Sequence, residues 1–533
     1  MKSQNETKIQ FNKLPACATE YIKQVLKKMR YRRKVRRDVQ AELEAHFEDE
    51  LKDCKTDEQK EQRANQLITK FGDVKLLAVL LRRAKKRCRP LWRTAIVRSF
   101  QALGIIVLYF LICSIPLLIG KPTISINYVD WLNELVQSGR DEQDNARPYY
   151  EKATQLYVDM PQWLSKSRAK WSADLNDVEL NLLPDWLKDN QEAIDALRRG
   201  SRCSGCWSNY QSDKTELSKA PMATVSMVSA IMANTMENLS SYRRLAFALQ
   251  WQIQYEAYRG DVKAALNDSI ALVKYGSHLH GHGLLVEQLV GIAIEGLANS
   301  TIFMLLDSVD VPADVLKNAQ EELDGQFRKQ EPVFSMEAEK VFWYDAIQRT
   351  FTDDGQDSGH LLARGLPYVF TNDWKDNLWR FVSFNYPDRQ EMVAKIDEYF
   401  RRFAEILAET PYDLRDEAID EQEENEEARI APIMLKINIP AYRRVSQTAW
   451  RLRTGRQALL TVLAVMRYEK EKGRYPAGLE ELVKAGYLKE LPRDPYSDGP
   501  LIYRRTDEGF LLYSFGVNLK DDGGKLGLGS RGT

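Results

Sequence analysis

The chain has 533 residues, 44% hydrophobic and 29% charged, and its 76 basic and 76 acidic side chains balance to zero. That length exceeds one compact core, so several folded units are expected, and the hydrophobic content excludes a mostly disordered chain. Six cysteines in a chain of this size exclude a small disulfide-stapled scaffold.

The zero balance hides an uneven layout. Residues 1–98 hold 26 Lys and Arg against 13 Asp and Glu, whereas residues 121–533 hold 50 against 63. Residues 1–17 read as a polar tail and 18–95 as a basic helical module, with helices near 16–30, 33–54 and 57–86. In the second helix Val35, Val39, Leu43, Phe47 and Leu51 recur every four residues, one apolar stripe with Glu42, Glu44, Glu48, Asp49 and Glu50 off it. Thr56-Asp57-Glu58-Gln59 predicts a helix start and Phe71-Gly72-Asp73 a break. The basic run Lys27 to Arg37 has Tyr31 as its lone aromatic residue, a poor stacking platform, so no nucleic-acid partner is expected. Anionic inner-leaflet lipid and an acidic cytoplasmic protein are the partners this module invites.

The order of Tyr21-Ile22, the run Val39-Gln40-Ala41-Glu42-Leu43-Glu44-Ala45-His46-Phe47, then Ala64, Phe71-Gly72-Asp73 and Leu76-Leu77 resembles the bacterial HAAS signalling domain, or permease prefix domain, over residues 18–90. The resemblance implies a small helical module set before a membrane segment, with a regulatory or protein-interaction role and no catalysis.

From Ser99 to Gly120 there is no charged residue. A helix of that length covers about 33 Å, enough for a bilayer core of roughly 30 Å. Residues 97–120 are therefore expected to form a single transmembrane helix. It starts too far along the chain for a cleavable signal peptide. Lys85, Lys86, Arg87, Arg89, Arg93 and Arg98 precede it, while Lys121, Asp130 and Glu134 follow. The positive-inside rule then predicts a cytoplasmic N-terminus and a periplasmic or other extracytoplasmic C-terminal part, in the cell inner membrane.

Residues 121–410 read as a helical extracytoplasmic domain, since ten of the eleven tryptophans lie beyond the span, among them Trp131, Trp171, Trp374 and Trp379. Amphipathic helices are expected at Arg147–Val158, Asp189–Arg199 (ended by Gly200) and Glu391–Ala408, a further helix pair at Leu284–Ser308 and Ala313–Phe327 with Asp310-Val311-Pro312 between, and the run Met222–Ala233 reads as a core helix. The pair Ser241–Tyr258 and Val262–Gly276, joined by Gly260-Asp261, resembles one tetratricopeptide-type hairpin, with no second copy at a fixed period. Residues 411–430, with Glu417, Asp420, Glu421, Glu423, Glu424, Glu426 and Glu427, form a like-charge linker.

Residues 431–524 predict a small α+β module: a long helix over Ala441–Lys472, a short one over Gly478–Ala485, and strands Leu501–Arg504 and Phe510–Phe515 in a hairpin. The string Tyr475-Pro476, Leu479-Glu480-Glu481-Leu482, Gly486-Tyr487-Leu488, Leu491-Pro492, Asp494-Pro495-Tyr496, Leu501-Ile502-Tyr503, Tyr513-Ser514-Phe515-Gly516 and Asp521-Asp522-Gly523-Gly524 resembles the C-terminal part of the type II secretion major pseudopilin. The resemblance implies a calcium ion in the last loop, for which Asn518, Asp521 and Asp522 would supply oxygens. The assembly helix of pilins is not at the start of this chain, so the module is expected to be a borrowed fold. Residues 525–533 read as a flexible tail, where Gly527-Leu528-Gly529-Ser530-Arg531-Gly532 lacks the following helix that nucleotide binding requires.

Little else points to chemistry. Cys203-Ser204-Gly205-Cys206 has two thiols and no second pair for zinc, so a local disulfide is the leading reading in an oxidising compartment, with free thiols and a redox pair as alternatives. His278 and His282 would sit one turn apart on a helix and could share a transition metal, although Gly281 and Gly283 favour a polar helix end. No residue is expected to be catalytic and no cofactor beyond that calcium is implied. The fold class is mainly α, and the whole chain resembles bacterial single-pass membrane proteins. The expected function is protein–protein interaction, as a scaffold or transmembrane regulator with an extracytoplasmic protein partner. A cell-envelope enzyme and an accessory secretion component are the alternatives.

Overall fold

The computed structural model describes residues 14–87, 91–137, 139–166, 177–210, 227–329, 333–355, 358–363, 386–415 and 433–525. Trp171, Trp374, Trp379, the acidic run 416–430, residues 222–226, most of both terminal tails and the glycine run from Gly527 lie outside them. Helix makes up 69% of the structure, so the protein is mainly α. It forms two compact units, residues 1–112 and 113–533.

The first unit contains α1 (Ala16–Met29), α2 (Arg33–Glu50), α3 (Asp57–Phe71) and α4 (Val74–Arg87), followed by α5 (Leu91–Leu118), whose last turns belong to the second unit. The four-residue stripe of α2 does what its period demands: Val39, Leu43, Phe47 and Leu51 are buried with Ile22, Val25 and Met29 of α1. Thr56 caps α3 by accepting from the Gln59 amide at 3.4 Å. Gly72, at φ +74°, ends α3, and its carbonyl accepts from the Tyr21 hydroxyl at 3.0 Å. The last expected helix of this module is thereby split into α3 and α4.

The span helix starts earlier than its charge-free stretch. Ala95–Leu118 contains an 18-residue apolar window, of which 11% is buried. Ile105, Ile106, Val107 and Leu108 are all exposed, and four successive residues go right round a helix.

The second unit continues with α6 (Tyr128–Gln137), α7 (Arg147–Leu156), α8 (Gln162–Lys166), α9 (Asp177–Asp189), α10 (Gln191–Gly200), α11 (Met227–Tyr258), α12 (Val262–Ser277), α13 (Leu285–Ser308), α14 (Ala313–Lys329), α15 (Glu337–Thr350), α16 (Arg389–Ala408), α17 (Ile433–Lys472) and α18 (Leu479–Lys484). Its largest cluster buries Tyr150, Tyr242, Trp251, Leu272, Tyr275, Ala298 and Ile302. The expected α11–α12 hairpin is present: Gly260 turns at φ +80° and Asp261 caps α12 through the Ala264 amide at 3.1 Å. Gly200 is the last residue of α10, within one position of the expected end. A Cβ there would stand 2.4 Å from the Tyr150 ring, so the glycine serves close packing.

At the core α12 and α13 cross almost backbone to backbone. A Cβ on Gly276 would lie 2.6 Å from the Glu295 amide nitrogen, and one on Gly291 would lie 2.6 Å from the Gly276 carbonyl. α17 runs past both large clusters. Val445, Ala449 and Leu452 pack with Trp343, Phe400 and Phe403, and Leu459 and Leu463 join the main cluster. The C-terminal module therefore shares its long helix with the helical body.

The hairpin follows. β1 (Ile502–Arg505) pairs antiparallel with β2 (Phe510–Tyr513), from Ile502 opposite Tyr513 to Arg505 opposite Phe510. Thr506 and Gly509 close its turn, the Thr506 amide donating to the Gly509 carbonyl at 3.0 Å.

Candidate functional site

The densest buried polar chemistry gathers where α12 ends and α13 begins, around Ser277-His278-Leu279-His280-Gly281-His282-Gly283. Gly281 at φ +69° and Gly283 at φ +76° bend the chain here, so the three histidines are not carried on a helix. His278 and His282 consequently face different partners. His278 Nδ1 lies 2.7 Å from the Tyr150 hydroxyl, and His278 also faces the Cys203 backbone, which partly offsets the effect of burial. His282 Nε2 donates to the Cys206 carbonyl at 2.6 Å. Two imidazoles thus pin the backbone of the cysteine turn from both ends.

Burial holds these histidines neutral. It lowers the His278 pKa to about 3, assisted by His282 and Lys274. It lowers His282 to about 4, assisted by Arg140. His280 is held well below its ordinary value, first by burial and then by the Arg456 guanidinium.

Cys203 and Cys206 are free thiols in this structure. Burial pushes the Cys206 thiol up to about 12 and raises Cys203 as well, with Asp144 adding to it. Neither thiol is activated as a nucleophile.

Two carboxylates of α13, Glu287 and Glu295, complete the cluster, about two helical turns apart with Gly291 between them. Glu287 is buried: one oxygen accepts from the Ser208 hydroxyl at 3.1 Å. The other accepts from the Tyr210 hydroxyl and from the Leu284 amide at 2.9 Å, the reach-back of a helix capping box. Glu339 of α15 adds a further acceptor, 3.2 Å from the Leu285 amide, and burial raises its pKa to about 7. Glu295, fully buried, grips Arg456 of α17 through two bonds of 2.6 and 2.8 Å, and His280 Nδ1 lies 3.3 Å from the same guanidinium.

Each of these carboxylates has protein donors, and the hollow beside Glu287 and His282 holds only about 10 Å³. Such an arrangement orients helices and excludes water; it leaves no room for a substrate. Sequence reasoning singled out the histidines and cysteines but not Tyr150, Tyr210, Glu287, Glu295 or Arg456. The one local signal was the Glu287, Gly291, Glu295 spacing on an otherwise apolar helix.

A larger cleft of about 580 Å³ opens between α15, α16 and α17, with Met336, Phe400 and Leu407 among its apolar walls and Lys340, Asp397 and Arg453 also lining it. Asp397 accepts from Lys340 Nζ at 2.8 Å and from the Tyr344 hydroxyl.

The terminal loop uses its oxygens internally. Asp521 accepts from the Tyr513 hydroxyl and the Gly523 amide, both at 2.8 Å, and lies 3.6 Å from Arg504. The Asn518 amide donates to Asp522 at 2.6 Å. Among the described residues no group of three or more His, Cys, Asp or Glu is placed to hold a metal. Asp494, in contrast, joins two halves of the terminal motif, accepting from the Ser514 hydroxyl at 2.7 Å and the Phe515 amide at 2.9 Å.

Compared with protein-family models, with curated proteins and with solved structures, the chain has no match.

Proposed function

We propose that this is a single-pass membrane protein that works by protein–protein interaction, linking a cytoplasmic helical module to a larger extracytoplasmic body as a scaffold or transmembrane regulator. The observation that carries the reading is α5, whose apolar window has large side chains turned outward all round. Such a surface is stable in lipid and costly in water. Lys85, Lys86, Arg87, Arg89, Arg93 and Arg98 just before the charge-free stretch, against Lys121 just after it, support a cytoplasmic N-terminus.

Protease added to intact spheroplasts tests the topology. The expected result is digestion of the large body with residues 1–95 protected. Protection of the body with loss of the N-terminal module would overturn the orientation, and recovery of the chain in the soluble fraction without detergent would overturn the anchor. Crosslinking from membranes, with baits covering residues 1–95 and 121–533, then identifies partners on each side.

A further inference from the structure

Only one face of α4 is used inside the first unit. Val74, Leu77, Ala78 and Leu81 turn toward the module core, where α4 packs on α1. On the opposite side Leu76 is 60% exposed, Val79 46% and Leu80 51%. With Arg83 they occupy positions i, i+3, i+4 and i+7, a single stripe. Lys75, Arg82, Arg83 and Lys86 are exposed around it. The sequence has no acidic residue between Asp73 and Asp130, and the ion pair described on this end of α4 is Lys85 with Glu42 of α2, so the segment keeps a net positive charge.

The chain also dictates where this stripe sits. α4 ends at Arg87 and α5 begins at Leu91. Four residue steps reach at most about 14 Å. The charge-free stretch of α5 opens at Ser99, about two helical turns after Leu91, so the basic end of α4 is tethered close to the point where lipid would begin.

We propose that α4 is an interfacial helix that binds an anionic bilayer surface. Leu76, Val79 and Leu80 enter the boundary between headgroups and acyl chains, and Arg82, Arg83 and Lys86 pair with lipid phosphates. The inference rests on the reading of α5 as a span and names the lipid chemistry that the cytoplasmic module recognises. Charge and tether favour lipid over an acidic protein, which would have to displace a surface already held within reach.

The test uses the full-length protein reconstituted into vesicles of phosphatidylcholine alone or enriched in phosphatidylglycerol. An environment-sensitive fluorescent amino acid is placed in turn at Leu80, at Ile106 and at the exposed Glu48, and lipid-borne quenchers report depth. The expected result is headgroup-depth quenching at position 80 in anionic vesicles, much weaker quenching in neutral ones, deep quenching at 106 in both, and none at 48. The combined variant Arg82→Gln, Arg83→Gln and Lys86→Gln should lower the bound-to-free ratio at position 80 on the order of a hundredfold. Circular dichroism should not change, because all three side chains are exposed.

Water exposure at position 80 in both lipids, with 106 still quenched, overturns the interfacial helix alone. Water exposure at 106 overturns the span itself. Equal quenching at 80 in both lipids overturns the anionic selectivity, and shielding of 80 only in native membranes, without lipid quenching, assigns the surface to a protein and overturns the proposal.

Discussion

Among the described residues two helices are long and apolar enough to cross a bilayer, Ala95–Leu118 and Leu285–Ser308, yet they live in different surroundings. The first has no charge from Ser99 onward and 11% of its window is buried. The second carries Glu287 and Glu295, and 56% of its window is buried in protein. In lipid those carboxylates would need partners brought with them. Here Ser208, Tyr210 and Arg456 provide them. Hydropathy measures how greasy a helix is, whereas its polar minority and their partners show which solvent it was built for.

The sharpest way to break that comparison is to place one charge in each helix. Ile106→Arg should abolish membrane retention, read by alkaline extraction, because arginine at a span centre costs about 2.5–3.5 kcal/mol on insertion scales. Ile302→Arg should leave the protein in the membrane and unfold its body. If both variants lost the membrane equally, the distinction between the helices would fall.

The next effect concerns the grip of α17 on α13. Arg456→Met leaves Glu295 buried without its partner and should cost about 3–5 kcal/mol in denaturant unfolding of the body. Adding Glu295→Leu should recover most of that loss, as expected when a buried pair is replaced by apolar groups. A double variant as weak as the single one would mean that the pair does more than hold two helices together.

Gly276→Ala sharpens the contrast by steric means. Its Cβ would meet the α13 backbone, so the helices must part, at a cost of about 1–3 kcal/mol in the same assay. Gly104→Ala, in the span with nothing within 4 Å, should be silent.

The smallest signal is a slope with pH. His278 is held near pKa 3 when folded, against an ordinary 6.5, so between those values the unfolded chain binds more protons and stability rises with pH. Glu339, raised to about 7, acts in the opposite sense from about 4.5 upward. Subtracting one variant from wild type isolates the histidine. The stability gap between wild type and His278→Gln should widen from pH 4 to 6.5, by at most about 1.4 kcal/mol per pH unit. A gap independent of pH would show that His278 is solvated.

Much of the local structure was readable from the chain. The stripe of α2, the Gly260-Asp261 turn, the paired helices α13 and α14, and the hairpin from Ile502 to Tyr513 all follow from periodicity and turn chemistry, which act over a few residues. The candidate site was half legible. His278, His282, Cys203 and Cys206 stood out as unusual residues, and Gly281 and Gly283 pointed to the helix end that the structure shows, but the partners Tyr150 and the Cys206 carbonyl were not legible. Gly200 was legible as the end of α10, but its close packing on Tyr150, fifty positions away, was not.

By itself, then, the sequence determined the apolar window, its basic approach and the run of helices, because charge, hydropathy and period are properties of short stretches. Only the tertiary structure decided that Leu285–Ser308 is a core helix, that imidazoles pin the cysteine turn, and that α17 belongs to the body. The reason is physical: a buried carboxylate or a glycine crossing is stable or ruinous depending on a partner that may lie 161 residues away, as Arg456 does from Glu295, and no local pattern encodes that distance.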